Sequence, residues 1–181
     1  MAPKLKKTVV MVGMMGAGKS AVGKELALRL GVPFLDSDAE IERAANATIA
    51  EIFARDGEPF FRDKEAQVIS RLLDGEPCVL SVGGGAFLRA ETRSRITAAG
   101  VSVWLKADLD TLWARVKRKD TRPLLKTANP YQTLADLMNS REPAYSQADL
   151  IVPTESDYAI ETTAEKVIES LMSRPDVLAA E

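Results

Sequence analysis

Apolar positions along this chain follow two periods in turn. TVVMV (8–12) is a continuous β-branched run, which predicts a strand buried on both faces of a parallel sheet. Behind it, Val22, Leu26, Ala27 and Leu30 recur at helical spacing, so residues 19–30 predict a helix that Gly31 stops. VPFLD (32–36), CVLSV (78–82), SVWL (102–105) and DLIV (149–152) predict four further strands. Helical patterns cover about 38–45, 48–55, 58–74, 90–98, 108–118, 131–142 and 157–172. Alternation of strand and helix implies an α/β fold, a parallel sheet with helices on both faces. Residues 117–130, KRKDTRPLLKTANP, are polar and lack an apolar period, and 174–181 predict a frayed tail. No repeat or linker divides the sequence, so residues 1–181 read as a single domain.

Composition narrows the chemistry. The 181 residues are 46% hydrophobic and 28% charged, an ordinary globular balance. A net charge of −2 leaves no overall basic field for nucleic acid or an anionic membrane. The start, MAPKLKK before TVVMVGMM, looks superficially like a signal peptide. Its apolar run flows straight into GAGKS without a cleavage-like site, however, and no run approaches the roughly 18 residues of a membrane span. The expectation is a soluble cytoplasmic protein. There is no histidine, which excludes Ser-His-Asp and Cys-His catalysis. The single cysteine, Cys78, cannot form an internal disulfide and reads as a small buried hydrophobe on a strand.

Gly13-Met14-Met15-Gly16-Ala17-Gly18-Lys19-Ser20 satisfies G-x-x-x-x-G-K-[ST] at every specified position, between a strand and a helix. Glycines there let successive N–H groups turn inward around phosphate oxygens, and the helix N-terminus adds partial positive charge. Lys19 would reach the β- and γ-phosphates of a nucleoside triphosphate, and Ser20 would place a hydroxyl on Mg²⁺. A GTPase-type switch would need a guanine-reading Asn-Lys-x-Asp stretch, and no Asn-Lys pair occurs. A motor ATPase usually carries more chain. A small-molecule kinase needs a metal carboxylate, an acceptor pocket and a basic lid. Asp36 and Asp38, two apart at the end of a strand, would share one side at the sheet's carboxyl edge; either could instead cap the next helix. Gly83-Gly84-Gly85 leaves bare backbone that a ligand could approach. Arg122, in Thr121-Arg122-Pro123-Leu124-Leu125, could neutralise transition-state charge from a closing loop. Arg62 and Arg141 each lie in or end a helix beside apolar neighbours, and their convergence would imply an anionic acceptor.

GMMGAGKS, LDSD, FFRDKEAQVI leading to VLSVGGGAF, TRPLL and REPAYSQAD occur in an order and at a spacing that resembles the shikimate kinases over residues 7 to 172. The resemblance implies ATP- and Mg²⁺-dependent phosphorylation of the 3-hydroxyl of shikimate, a step toward chorismate and the aromatic amino acids. It implies a nucleoside monophosphate kinase-like fold with a five-stranded parallel sheet in the order 2-3-1-4-5. An acceptor-binding region around 37–66 and a lid around 117–129 would complete it. By position, Gly13, Gly16, Ala17, Gly18, Lys19, Ser20 and Ala21 would hold ATP, Ser20 would bind Mg²⁺, and Asp36 would support the metal through water. Asp38 would contact shikimate and act as base. Arg62 and Arg141 would hold the substrate carboxylate, beside the backbone of Gly83, Gly84 and Gly85. Lys19 and Arg122 would stabilise the moving phosphoryl group, and Arg115 would stack on adenine. PTESD (153–157), after the fifth strand, receives no assignment. The family expectation is a monomer with small-molecule partners alone; another small-acceptor kinase, for gluconate or a nucleotide, is the alternative.

Overall fold

The computed structural model describes residues 3–117 and 127–179. At its centre lies β2 (Thr8–Val12), every residue of which is buried. β4 (Val79–Ser81) pairs with it on one side and β5 (Gly100–Lys106) on the other, both parallel, with Val10 opposite Leu80 and Ser102. β3 (Phe34–Asp36) and β6 (Leu150–Pro153) form the edges, so the sheet runs β3-β4-β2-β5-β6. Counted among these five strands alone, that is the expected order 2-3-1-4-5. Helices cover both faces and enclose one large core of buried aliphatic side chains around β2, β4 and β5. No helix among the described residues is long and apolar enough to cross a membrane.

Helix α1 (Lys19–Leu30) begins at Gly18 and ends at Gly31, both left-handed, and packs against α8 (Ile160–Met172). Helices α2 (Ser37–Ala45), α3 (Ile49–Asp56) and α4 (Glu58–Leu73) follow β3. They gather a second, smaller apolar cluster of Ile41, Ile52, Phe61 and Val68, separate from the main core. A capping box at Thr48 and Glu51 starts α3, and Asp36 caps α2. After β4 come a short 3₁₀ turn (Ala86–Leu88) and α5 (Ala90–Ala99); α6 (Leu109–Val116) follows β5.

Two expectations are corrected. α7 (Pro130–Tyr145) was expected to stop at 142, before Pro143, but it continues through the proline to Tyr145. Proline costs the bond its N–H would make to the carbonyl four residues earlier. Burial of Ala144 and Tyr145, and the Ser146 N–H bonding the Glu142 carbonyl at 2.8 Å, carry the helix past that gap. The second concerns the tail, expected to fray over 174–181. Leu178–Ala179 instead forms a strand, β7, antiparallel to β1 (Lys4–Leu5). Val177 and Leu178 are fully buried, and the Lys6 N–H bonds the Val177 carbonyl at 2.7 Å. An apolar pair that finds a partner strand and a hydrophobic socket has no reason to remain in water.

Candidate functional site

The carboxyl edge of the sheet opens into a cleft of about 1750 Å³. One ligand pocket is usually some 300–1,000 Å³, so there is room for two small substrates side by side. The phosphate-binding loop forms one end. Gly16 has φ +86°, and a Cβ there would lie 2.8 Å from Val116 Cγ1, so both backbone conformation and space demand glycine. Gly13 and Gly18 share the left-handed half of φ space, and Ala17 is buried beneath the turn. No acidic residue occupies the first turn of α1, and Gly18 offers no capping side chain, so this helix end favours an anion. The Lys19 ammonium donates to the carbonyls of Gly13, at 2.6 Å, and Met14, at 3.3 Å. Ser20 and Ala21 line the cleft at the helix start.

Arg115, in the last turn of α6, donates from Nη1 to the Gly16 carbonyl at 3.0 Å and from Nη2 to the Glu155 carbonyl at 3.4 Å. It thus ties the phosphate loop to the loop after β6, the one stretch the sequence left unassigned. Ser156 of that loop lines the cleft.

Asp36 and Asp38 do not ride one extended strand as expected. The strand ends at Asp36, whose Oδ1 accepts the N–H groups of Asp38 at 2.9 Å and Ala39 at 3.4 Å, while Asp38 lies in the first turn of α2. The chain turns here because the carboxylate satisfies helix donors that would otherwise be orphaned. Both carboxylates still line the cleft. Burial raises the Asp38 carboxyl above its ordinary value, the charge of Asp36 pushes it further, and Lys19 opposes them.

Gly83, Gly84 and Gly85 are absent from the residues with positive φ, so conformational freedom is not what requires them. Clearance is. A Cβ on Gly84 would lie 2.6 Å from Arg141 Nη1, one on Gly85 would lie 2.7 Å from Arg62 Cζ, and one on Gly83 would lie 3.2 Å from Asp38 Oδ1. The three glycines let two guanidinium groups and a carboxylate close on one turn. Arg62 and Arg141, distant in sequence, therefore meet at neighbouring residues.

Two further side chains went unassigned at the sequence level. Glu65 is buried, its Oε1 accepts from Arg62 Nη1 at 2.9 Å, and its Oε2 has no hydrogen-bond partner among the described residues. Burial raises its pKa, with the Arg62 charge opposing. A glutamate within the buried stripe Phe61, Val68, Ile69 and Leu73 of α4 was the available signal. The Tyr145 hydroxyl donates to the Gly84 carbonyl at 2.6 Å. Its place in REPAY, four residues after Arg141, was visible without its partner.

Among the described residues no group of three His, Cys, Asp or Glu side chains is arranged to hold a metal. The Ser20 hydroxyl and the Asp36 carboxylate suit Mg²⁺, which takes one or two protein oxygens and completes its shell with water and phosphate. Arg122 and residues 118–126 of the expected lid lie outside the described residues.

A family model described as Shikimate kinase matches residues 15–172. A shikimate kinase of Cereibacter sphaeroides is 66% identical over 175 residues, covering 97% of this chain and 87% of that protein. One from Ruegeria pomeroyi is 64% identical over 177 residues, covering 98% and 91%. A solved structure of the Acinetobacter baumannii shikimate kinase in complex with shikimate matches with a TM-score of 0.86 at 39% identity, covering 92% of this chain and 93% of that one.

Proposed function

The chain belongs to the shikimate kinase family, and from that premise we infer how its residues carry out the family's reaction. The reaction moves the γ-phosphoryl group of ATP to the 3-hydroxyl of shikimate. The observation that carries the residue assignment is the meeting of Arg62, Arg141 and Asp38 on the turn Gly83 to Gly85, within the cleft that the phosphate loop closes at its other end. Two planar forks suit a carboxylate, and a carboxylate oxygen beside them suits an alcohol.

In this reading Arg141 and Arg62 hold the acid end of shikimate, with Glu65 orienting Arg62 through its Oε1 bond. The unpartnered Oε2 of Glu65 is available to a hydroxyl of the acceptor. Asp38 accepts the proton of the 3-hydroxyl as that oxygen forms its bond to phosphorus and ADP departs. Desolvation makes its carboxylate a stronger base than an exposed one. The N–H groups at the start of α1, with Lys19 and Arg122, stabilise charge on the moving phosphoryl group. Arg115, held by the Gly16 and Glu155 carbonyls, would stack on adenine. Ser20, and Asp36 through water, would hold Mg²⁺, which when bound neutralises phosphate charge. A monomer working in the cytoplasm belongs to the same reading.

The test is ADP release by the purified protein with Mg²⁺ and ATP, measured with no acceptor, with shikimate, with gluconate and with a nucleoside monophosphate. Release accelerated by shikimate alone is expected. Preference for gluconate or a nucleotide would select the alternative acceptor, and a slow rate indifferent to all three would mean a nucleotide-binding module.

A further inference from the structure

REPAY ends on a tyrosine to which no role in the reaction has been given. Tyr145 is 1% exposed, and its one hydroxyl reaches into the turn that gathers the acceptor-binding side chains. We propose that Tyr145 is a positioning residue for the acceptor carboxylate, fixing the Gly84 peptide and the Arg141 guanidinium relative to each other. The inference rests on the reading of Arg141 as the carboxylate clamp and adds the part that aims it.

Helix geometry supplies the first step. Residues four apart on a helix lie on one face, and α7 continues through Pro143 only far enough to bring Tyr145 beneath Arg141. Had the helix ended before the proline, the two side chains would not share a face. The second step is hydrogen-bond inventory. A phenol offers one donor and two acceptor lone pairs. The donor goes to the Gly84 carbonyl at 2.6 Å. Arg141 Nη1 and the Tyr145 hydroxyl both stand against Gly84, 2.6 Å and 3.5 Å from where a Cβ on it would lie, so the phenol's lone pairs have the guanidinium as their neighbouring cation. Burial keeps the phenol protonated, so the donor persists at neutral pH.

The third step is what the bond restrains. Gly84 stands between two other glycines, so no side chain resists rotation of its peptide. In a trans peptide the carbonyl and the following N–H point opposite ways. Holding the Gly84 carbonyl toward Tyr145 therefore directs the Gly85 N–H to the other side and fixes the surface against which Arg141 and Arg62 lie. The tyrosine is itself anchored. Its ring meets Trp104 of β5 at 5.7 Å between centroids, and Trp104 Cδ1 is 3.4 Å from where a Cβ on Gly13 would stand. One aromatic pair thus runs from the base of the phosphate loop to the acceptor turn.

Tyr145→Phe removes the hydroxyl and keeps the ring. Steady-state kinetics should show shikimate KM raised about five- to thirtyfold, the cost of one buried hydrogen bond serving a charged group, with ATP KM within about twofold. Melting followed by circular dichroism reports separately on packing. In an Arg141→Ala background the same substitution should change shikimate KM by less than about twofold, because Tyr145 acts through the missing arginine. Unchanged shikimate KM in Tyr145→Phe, while Arg141→Ala raises it, would overturn the role of Tyr145 and leave the clamp standing. Equal rises for ATP and shikimate, or additive effects in the double variant, would reduce the tyrosine to a packing residue and also overturn it. If Arg141→Ala itself left shikimate KM unaltered, the clamp reading would fall first.

Discussion

A single carboxyl, Asp38, carries opposite demands from chemistry and from folding. Burial and the neighbouring Asp36 charge raise its pKa from the ordinary 3.8. The folded protein therefore holds that proton more tightly than the unfolded chain does. By linkage, the stability this group lends is fully present below pH 3.8 and is lost as the pH rises through the folded-state value. Once ionised, the carboxylate is a burden on the fold, one that the proposed role of base would explain. Asp38→Asn should accordingly lower kcat by about 10²–10⁴-fold while raising Tm at pH 7. The Tm difference should narrow as the pH is lowered toward 4, and the kcat/KM of the parent should fall along the same acid limb. Stopped assays and thermal melts across pH read both. Near-normal turnover in the variant would remove Asp38 as base, and a Tm gap indifferent to pH would remove burial as the cause of its raised pKa.

Elements differ in how openly the sequence announces them. The phosphate loop was legible because its glycines, Lys19, Ser20, the preceding strand and the following helix all agree locally. The order of the sheet came from family resemblance, since strand pairing is a long-range property that local patterning leaves undetermined. Asp36 was ambiguous for a specific reason: a carboxylate at a strand end serves a helix cap or a metal equally well, and here it caps while still facing the cleft. The pairing of β1 with β7 was illegible because two-residue strands show no period to read. This small sheet joins both ends of the chain at the amino edge of the main sheet, away from the cleft, and seals the core with Val177 and Leu178. Leu178→Ala should therefore cost about 2–5 kcal/mol, a Tm lower by roughly 5–15 °C, with kcat and both KM values unchanged at 25 °C. An unaltered melt would return the tail to the frayed state expected of it, and an altered KM would show that the terminal sheet communicates with the cleft.

At the scale of the whole molecule the cleft joins two differently supported halves. The phosphate loop rests on the main core around β2, whereas Ile41, Ile52, Phe61 and Val68 give the acceptor side a small core of its own. Arg62 rises from that smaller unit on α4, and Arg141 comes from α7 across the turn at Gly83 to Gly85. An acceptor region around 37–66 was expected from resemblance, but that it carries a small core of its own was hidden from sequence, because it depends on which side chains of three separate helices pack together. This division makes the two substrates separable as stabilisers. Any ligand that binds the folded state alone adds RT ln(1 + [L]/Kd), about 2.7 kcal/mol at a hundredfold excess over Kd, or roughly 5–10 °C for a chain of this size. Arg141→Ala should raise the Kd for shikimate about ten- to a hundredfold through loss of a charge-assisted contact. At the same shikimate concentration its contribution then shrinks to about 1.4 or 0.4 kcal/mol, while the shift given by ATP with Mg²⁺ stays as in the parent. Melts of both proteins with each ligand alone read this without any turnover. Equal loss of both shifts would mean that Arg141 supports the fold of the cleft as a whole, and a full shikimate shift in the variant would place the acid end of the acceptor elsewhere.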